Sequence, residues 1–292
     1  MDETEWLAER FEEQRPRLRG VAYRMLGSLA EADDAVQEAW LRVSRAGTDE
    51  VENLGGWLTT VVARVCLNML RARRLRREAS LEARLPDPVV TPEGVPQPEE
   101  EALLADAVGL ALQVVLDTLA PAERLAFVLH DLFELPFEEI APMVGRTPVA
   151  ARQLASRARR RVRGADVRTP DPDLARQRRV VDAFFAAARS GDFEGLVALL
   201  DPDVVLRADW GRGRPLSVLR GPAAVASQAR PLPGALTHPA LVNGAAGVVV
   251  TVHGRPFAIM GFTVVEDRIV EIDALADPER VRTIAAAVLG EA

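Results

Sequence analysis

Five prolines fall within thirteen positions between Pro86 and Pro98. Proline has no amide hydrogen to donate, and it also restricts the backbone of the residue before it, so a regular helix or a central strand cannot run through this stretch. Residues 80–98 therefore predict a stiff, extended linker with no core of its own. Any fold of this chain must accommodate at least one part before that linker and one part after it.

The sequence on both sides of the linker has the apolar spacing of helices. Residues 4–78 and 99–163 repeat apolar side chains at intervals of three and four, and a polar loop, "AGTDEVENLGG", separates two of the early stripes. One stripe comprises Ala32, Ala35, Val36, Ala39, Trp40 and Val43; the next comprises Leu58, Val61, Val62, Val65 and Met69. Both parts are predicted to be all-α.

The pattern changes after a second break at 164–173. From residue 174 a helical stretch leads into short β-like runs, "GVVVTVHG", "PFAIMGFTVV" and "RIVEIDAL", which are split by turn residues, and a last helix follows "DPER". This order predicts an α+β domain with helices first and a curled antiparallel sheet after them. The chain has 292 residues, which is enough for two or three domains.

Charge is unevenly distributed along a chain whose net charge is −7. Residues 57–77 carry six arginines and residues 146–163 carry seven, and neither segment contains an acidic residue. Two compact cationic helices in an acidic protein indicate contacts with nucleic-acid phosphates.

The second cationic segment has the layout of a helix-turn-helix. Gly145 supplies the turn, Thr147 is a preferred helix N-cap, and Pro148 suits the first helical position. The second helix is predicted to bury Ala151, Leu154, Ala158 and Val162. Its opposite face is predicted to present Arg152, Gln153, Ser156, Arg157 and Arg160. Such residue types read base edges in a major groove. The alternative is a helical hairpin with a solvated arginine face. Pro142 is expected to kink the first helix.

The first cationic segment and the helix before it have contrasting faces. Thr60, Arg64, Asn68 and Arg71 share one helical face, which suits the capture of single-stranded DNA. In "EADDAVQEAWLRV" (31–43) the outward residues are instead acidic or amide, and alone they would indicate a solvated surface. An acidic helix, a basic helix, a proline linker and a helix-turn-helix follow one another in that order.

Residues 5–163 resemble a bacterial extracytoplasmic-function (ECF) sigma factor in three motifs. "ADDAVQEAWLRV" resembles the region 2 helix that docks on RNA polymerase, "LGGWLTTVVARVCLNMLRARRLRRE" resembles the part of region 2 that opens and reads the minus-10 element, and residues 119–163 resemble region 4, which reads the minus-35 element. The acidic linker would thread towards the RNA exit path of the polymerase.

The resemblance implies three sets of contact residues. The β′ clamp helices of core polymerase would meet Asp33, Asp34, Gln37, Glu38 and Leu41, and region 4 would meet the β flap. The opened minus-10 strand would be handled by Asn53, Arg64, Asn68, Arg71 and Arg74 and by the loop at 48–55. The minus-35 element of promoter DNA would be read by Thr147, Arg152, Gln153, Ser156, Arg157 and Arg160.

Residues 174–292 resemble the SnoaL-like cone fold, which a SigJ-like group of sigma factors carries as a regulatory domain. Three loose motif matches support this: "RLPDP" (84–88), "DWGRGR" (209–214) and "DPERV" (277–281). The resemblance implies intramolecular contacts between this domain and the sigma domains through Asp209, Arg212, Arg214, Asp277, Pro278, Glu279 and Arg280. The pair Asp277–Pro278 is equally suited to capping the last helix.

The expected organisation is a region 2 domain (1–79), an acidic proline-rich linker (80–100), a region 4 helix-turn-helix domain (101–164), a linker (165–173) and the SnoaL-like domain (174–292). No catalytic residue, metal or cofactor is expected. The alternatives are a repressor or activator that uses only its helix-turn-helix, and a SnoaL-like enzyme or ligand sensor fused to a DNA-binding module. A lone Cys66 in an apolar helix and the lack of a signal peptide predict the cytoplasm.

Overall fold

The computed structural model describes residues 3–46, 53–77, 84–94, 109–165, 168–211 and 213–290. The chain divides into two compact units. The first unit comprises residues 1–81 and 112–167, and the second comprises residues 82–111 and 168–292. The helical and α+β parts that the sequence predicts are therefore both present, as separate bodies.

The first unit is all-α. Its helices are α1 (Glu3–Leu26), α2 (Leu29–Ala46), α3 (Leu54–Arg77), α4 (Gly109–Asp117), α5 (Pro121–Phe127), α6 (Phe137–Val144) and α7 (Pro148–Gly164), with one π-helical turn at Val128–Leu132. Most of the predicted stripe of α2 is buried, with Ala32, Ala35, Ala39 and Val43 inaccessible to solvent, whereas Trp40 is half-buried. Because small and branched side chains fill this seam, α1, α2 and α3 pack closely around it.

Polar bonds join the early and late helices of the first unit. The buried side chain of Gln113 donates through Nε2 to the carbonyl oxygens of Tyr23 (3.1 Å) and Arg24 (3.3 Å). The buried Arg124 donates through Nε to the same Arg24 carbonyl at 3.1 Å. Helix-terminal carbonyls need such donors when they are buried. The ranges 1–79 and 101–164, expected as separate domains, thus contribute most of their residues to one unit.

The second unit is a seven-stranded sheet covered by helices. Its elements are β1 (Val90–Pro92), α8 (Leu174–Ser190), α9 (Phe193–Leu199), β2 (Leu200–Asp209), β3 (Ser217–Arg220), α10 (Pro222–Ala226), β4 (Ala235–Val242), β5 (Ala245–Val252), β6 (Arg255–Val265), β7 (Arg268–Leu275) and α11 (Pro278–Leu289). The strand order is β1-β4-β5-β6-β7-β2-β3, and among these described strands only β2 and β7 pair in parallel. This α+β architecture confirms the predicted fold class.

The two faces of the sheet bury different cores. On one face Val204, Val248 and Ile272 pack with side chains such as Phe184 of α8. On the other face Val249 and Leu275 pack with Val281 and Ala285 of α11 and with Val90. Neighbouring residues such as Val248 and Val249 enter different cores because side chains alternate across a strand.

The described part of the proline-rich segment, residues 84–94, is not a linker without a core. Leu85, Val89 and Val90 are buried, and β1 pairs antiparallel with β4. Proline tolerates an edge strand because one side of such a strand needs no amide donors. Leu85, Val89 and Val90 are therefore buried within the second unit, although residues 1–81 and 112–167 on either side belong to the first.

Candidate functional sites

The helix-turn-helix has the local geometry that the sequence predicts. Helix α6 ends at Gly145, which adopts a left-handed conformation with φ of 66°. Thr147 caps α7, and its Oγ1 accepts a hydrogen bond from the Ala150 amide at 3.3 Å. The side chain of Thr147 thus has a role in starting the helix. Pro142 is exposed, and α6 continues past it to Val144.

Helix α7 presents the predicted basic face, but its buried stripe differs in register. Ala151, Ala155 and Ala158 are buried, whereas Leu154 and Val162, which were predicted to be buried, are half-exposed. Because alanine side chains are small, they let α7 pack closely against the neighbouring helices, and the larger side chains of Leu154 and Val162 lie at the edge of this contact. The residues predicted to read the minus-35 element are all exposed: Thr147, Arg152, Gln153, Ser156, Arg157 and Arg160.

Acidic residues of other elements balance part of the α7 charge. Arg157 and Arg161 donate to the carboxylate of the buried Glu123 at 2.8 and 3.0 Å, and Arg159 donates to Asp131 at 2.5 Å. Arg152 lies 5.3 Å from the centre of the Phe137 ring. A segment without acids in its own sequence therefore receives its counter-charges from outside that segment, which a one-dimensional charge count cannot detect.

The minus-10 candidates lie along α3. Arg64, Asn68, Arg71 and Arg74 are exposed. Asn53 caps the helix, and its Oδ1 accepts from the Gly56 amide at 3.0 Å. Residues 47–52, which include most of the predicted minus-10 loop, lie outside the described residues. The described candidates thus form an outward polar face along the helix and at its N-terminus.

The polymerase-binding candidates lie together on α2. Asp33, Asp34, Gln37 and Glu38 are exposed, and so is the neighbouring apolar side chain of Leu41. Asp33 pairs with Arg19 at 2.6 Å and Glu38 pairs with Arg42 at 2.8 Å. Ion pairs exposed to water contribute only about 0–1 kcal/mol, so a partner can displace them at low cost.

In the second unit, Arg280 binds the proline-rich segment and a sheet residue at once. Its guanidinium donates to the Asp87 carboxylate (2.6 Å), to the Leu85 carbonyl oxygen (2.7 Å) and to Asp209 (2.9 Å). Asp209 also accepts from the Leu85 amide at 3.0 Å. The planar five-donor fork of arginine suits several acceptors in fixed directions, so this side chain fixes the path of the segment.

Asp277 has two contacts in the same cluster. Its Oδ1 caps α11 by accepting from the amides of Glu279 (3.1 Å) and Arg280 (3.2 Å), while its Oδ2 lies 3.3 Å from Arg84 Nη1. Gly211 approaches so closely that a Cβ there would lie 2.8 Å from Asp277 Oδ2. Capping and contact with the proline-rich segment therefore occur together in one residue.

The cluster joins three of the predicted regulatory residues: Asp209, Asp277 and Arg280. Pro278 occupies the first position of α11, Glu279 and Arg214 are exposed, and Arg212 lies outside the described residues. The partners Arg84, Leu85 and Asp87 were missing from the predicted contact set. They lie in "RLPDP", a motif noted in the sequence, but nothing local in those residues indicates which sheet they meet.

A buried charged group lies beside this cluster on β2 and β7. Arg207 donates to Glu271 (2.9 Å) and to Asp273 (3.1 Å). Burial raises the pKa of Asp273 to about 6, and the positive charge of Arg207 only partly opposes this effect. Two carboxylates share one guanidinium, and Glu271 Oε2 has no hydrogen-bond partner among the described residues. Asp273 therefore takes up a proton at a higher pH in the folded protein than a carboxyl group in water does.

The histidines of the second unit lie apart from this group. The Nε2 atom of His238 is 3.0 Å from the Thr251 hydroxyl, and His253 adopts a positive φ in the turn between β5 and β6. In the described segments no hydrogen bond or ion pair joins either ring to a carboxylate, and no set of His, Cys, Asp and Glu is arranged to hold a metal. Cys66 of the first unit is buried, which raises its thiol pKa to about 12.

Comparison with known proteins identifies the family. Residues 10–76 match the model of Sigma-70 region 2, and residues 109–162 match that of Sigma-70 region 4. The chain is 43% identical over 209 residues to the ECF RNA polymerase sigma factor SigJ of Mycobacterium tuberculosis, an alignment that covers 71% of this chain and 66% of SigJ. It is 37% identical over 200 residues to the probable sigma factor SigI of the same species, covering 68% of each.

A solved structure agrees over almost the whole chain. The crystal structure of M. tuberculosis SigJ matches with a TM-score of 0.71 and 32% sequence identity, and covers 94% of this chain and 97% of that one. This chain belongs to the ECF RNA polymerase sigma factors. The match includes the second unit, so the sigma factor carries the SnoaL-like α+β domain that its sequence predicts.

Membership of the family confirms the predicted class of function, promoter recognition in transcription initiation. It implies core RNA polymerase and promoter DNA as partners of the sigma factor. The alternative of a SnoaL-like enzyme or sensor fused to a DNA-binding module is not favoured. None of the helices among the described residues is long and apolar enough to cross a membrane.

Proposed function

We propose that this sigma factor docks on the β′ clamp helices of core polymerase through the outward face of α2. The observation that carries the proposal is the exposure of Asp33, Asp34, Gln37 and Glu38 next to the exposed apolar side chain of Leu41. Protein interfaces usually combine polar and apolar groups in this way. Region 4 would contact the β flap.

Two basic faces would bind the promoter. The α3 residues Arg64, Asn68, Arg71 and Arg74 would hold the opened minus-10 strand, and Asn53 would act from its cap position. On α7, Arg152, Gln153 and Ser156 would read minus-35 bases, and Arg160 would contact phosphate. Because Arg157 already pairs with Glu123, its contribution to base recognition is expected to be smaller.

The second unit would regulate initiation by holding the linker. In the structure the linker segment 84–94 is tied to the second unit by Arg280, Asp209 and Asp277. A linker held in this way is unavailable for the RNA exit path of polymerase. The bound segment would therefore define a restrained state, and its release would define the active one. The domain boundaries expected from the sequence remain part of this proposal. Residues 84–94 would be the part that changes between the bound and the released state.

Run-off transcription with purified core polymerase tests the docking face. The double variant Asp34→Arg and Glu38→Arg is expected to abolish core binding while remaining folded, because both side chains point into solvent. The matched control is Glu9→Arg with Glu13→Arg, which makes the same charge change at the same spacing on α1. If a folded α2 variant still pulled down core enzyme as the wild type does, the assignment of this face would be wrong.

A further inference from the structure

The turn between β4 and β5 contacts the linker through the backbone and the side chain of Asn243. The Asn243 amide donates to the Val89 carbonyl oxygen at 2.7 Å, and Asn243 Oδ1 accepts from the Val89 amide at 2.6 Å. Asn243 is buried and has a φ of 50°, a left-handed conformation that asparagine tolerates better than most residues.

This pair of bonds completes the strand ladder with a side chain. In an antiparallel ladder, a hydrogen-bonded pair of residues exchanges two N–H···O bonds through the backbone. At Val89 and Asn243 one of the two acceptors is the asparagine side chain, which takes the place of a main-chain carbonyl. The register continues from here through Val90↔Val242 to Pro92↔Ala240. Asn243 therefore lengthens the edge to which β1 binds.

The far end of the linker strand is anchored separately. Arg178 of α8 forms an ion pair with Glu93 at 2.7 Å and donates to the carbonyl oxygens of Ala240 (2.9 Å) and Gly247 (3.0 Å). Strand β1 has three residues, and among the described strands it pairs only with β4. Short edge strands have few bonds to lose, so bonds at their two ends strongly affect how often they detach.

We propose that Asn243 is a linker-binding residue that sets how firmly the second unit holds β1. Asn243 lies outside the three motifs that form the Arg280 cluster. The proposal rests on the proposed regulatory function, because it assigns to Asn243 part of the balance between the restrained and released states. Its chemistry is that of strand addition, in which main-chain bonds supply the affinity for an extended segment.

Hydrogen exchange on the full-length protein tests the proposal. Asn243→Gly keeps the left-handed turn, since glycine adopts positive φ freely, but removes the acceptor of the Val89 amide. Exchange of that amide is expected to accelerate roughly tenfold or more, because a buried donor without an acceptor is costly. Asn243→Asp keeps an acceptor oxygen and should retain protection. The matched control is Glu266→Gly, which makes the same kind of change at an exposed left-handed turn between β6 and β7.

The outcomes separate this inference from the proposed function. Linker binding by Asn243 is supported if exchange at Val89 is faster in Asn243→Gly but not in the other two variants, while β5 and β6 keep their protection. A rise in promoter-reporter output in Asn243→Gly would extend this role to regulation. Faster exchange without any change in transcription would leave the binding role intact and contradict the regulatory function. Unchanged exchange at Val89 would overturn the inference, even if other changes to the linker cluster altered transcription.

Discussion

Replacing Arg280 with alanine is expected to release the linker from the second unit. The guanidinium contacts Asp87, Asp209 and the Leu85 carbonyl oxygen, all between 2.6 and 2.9 Å. Asp209 is 1% exposed and Asp87 is 6% exposed, so both carboxylates would lose a charged partner in a place that water hardly reaches. The Arg280→Ala substitution therefore leaves buried charges without this partner, which is a larger effect than the loss of a contact on the surface.

The expected magnitude follows from that burial. Removing one member of a buried ion pair costs about 3–5 kcal/mol, because the remaining charge is left uncompensated. The Arg280 side chain is itself 23% exposed, and Arg84 lies 3.9 Å from Asp209, so the lower end of that range applies. A loss of about 3 kcal/mol shifts the balance between bound and released linker by roughly 100-fold.

Two measurements on the full chain check this prediction. Hydrogen exchange at the Leu85 and Val89 amides reports linker release directly, and a promoter-reporter assay reports its consequence, which is expected to be higher output. Arg282→Ala is the matched control, because Arg282 is exposed on the same helix. If Arg280→Ala left the exchange of both amides at the wild-type rate, the argument that Arg280 holds the linker would be refuted.

The remaining predictions concern pH, DNA and truncation. The folded protein raises the pKa of Asp273 to about 6 from 3.8, so this residue destabilises the folded state increasingly as pH rises from about 4 to 6. Asp273→Asn should remove this dependence. The difference in unfolding free energy between variant and wild type, measured in denaturant, should therefore grow over that range and level off above it. A constant difference would contradict the assignment. Arg152→Ala should cost about 1–3 kcal/mol at one minus-35 position, whereas Arg160→Ala should weaken binding evenly across sequences in promoter-binding titrations; equal losses on all sequences would contradict the division into base and phosphate contacts. Ending the chain near residue 274 removes Asp277 and Arg280 and should raise reporter output, and ending it near 172 should lower it; if both truncations match full length, the second unit does not regulate this sigma factor.

Local patterns predicted the elements and the outward faces of the sigma regions. The spacing of Ala32, Ala35 and Ala39 identified the buried side of α2, and the acidic residues between them were then necessarily outward. The turn at Gly145 and the cap at Thr147 were equally readable, because each depends on the preference of a single residue for one backbone conformation. Such features were determined by the sequence because their causes lie within a few residues.

Contacts between distant segments could not be predicted in this way. The counter-charge of Arg157 is Glu123, which belongs to a different helix, and the resulting pair alters which α7 arginines remain available for DNA. The side chain of Asn243 completes a ladder with Val89, 154 positions earlier. Neither contact leaves a periodic signal in the chain, since each partner taken alone resembles an ordinary surface residue.

The proline-rich segment shows the difference most directly. The prolines correctly exclude a helix over the described residues 84–94, and the same composition is compatible with a free tether or with an edge strand. Only the tertiary structure decided between them, because the edge of β4 and the Arg280 guanidinium exist only after residues from 178 to 280 have folded together. Asp87 and Arg280 are 193 residues apart, and their hydrogen bond forms where the sheet and α11 bring both side chains to one buried point.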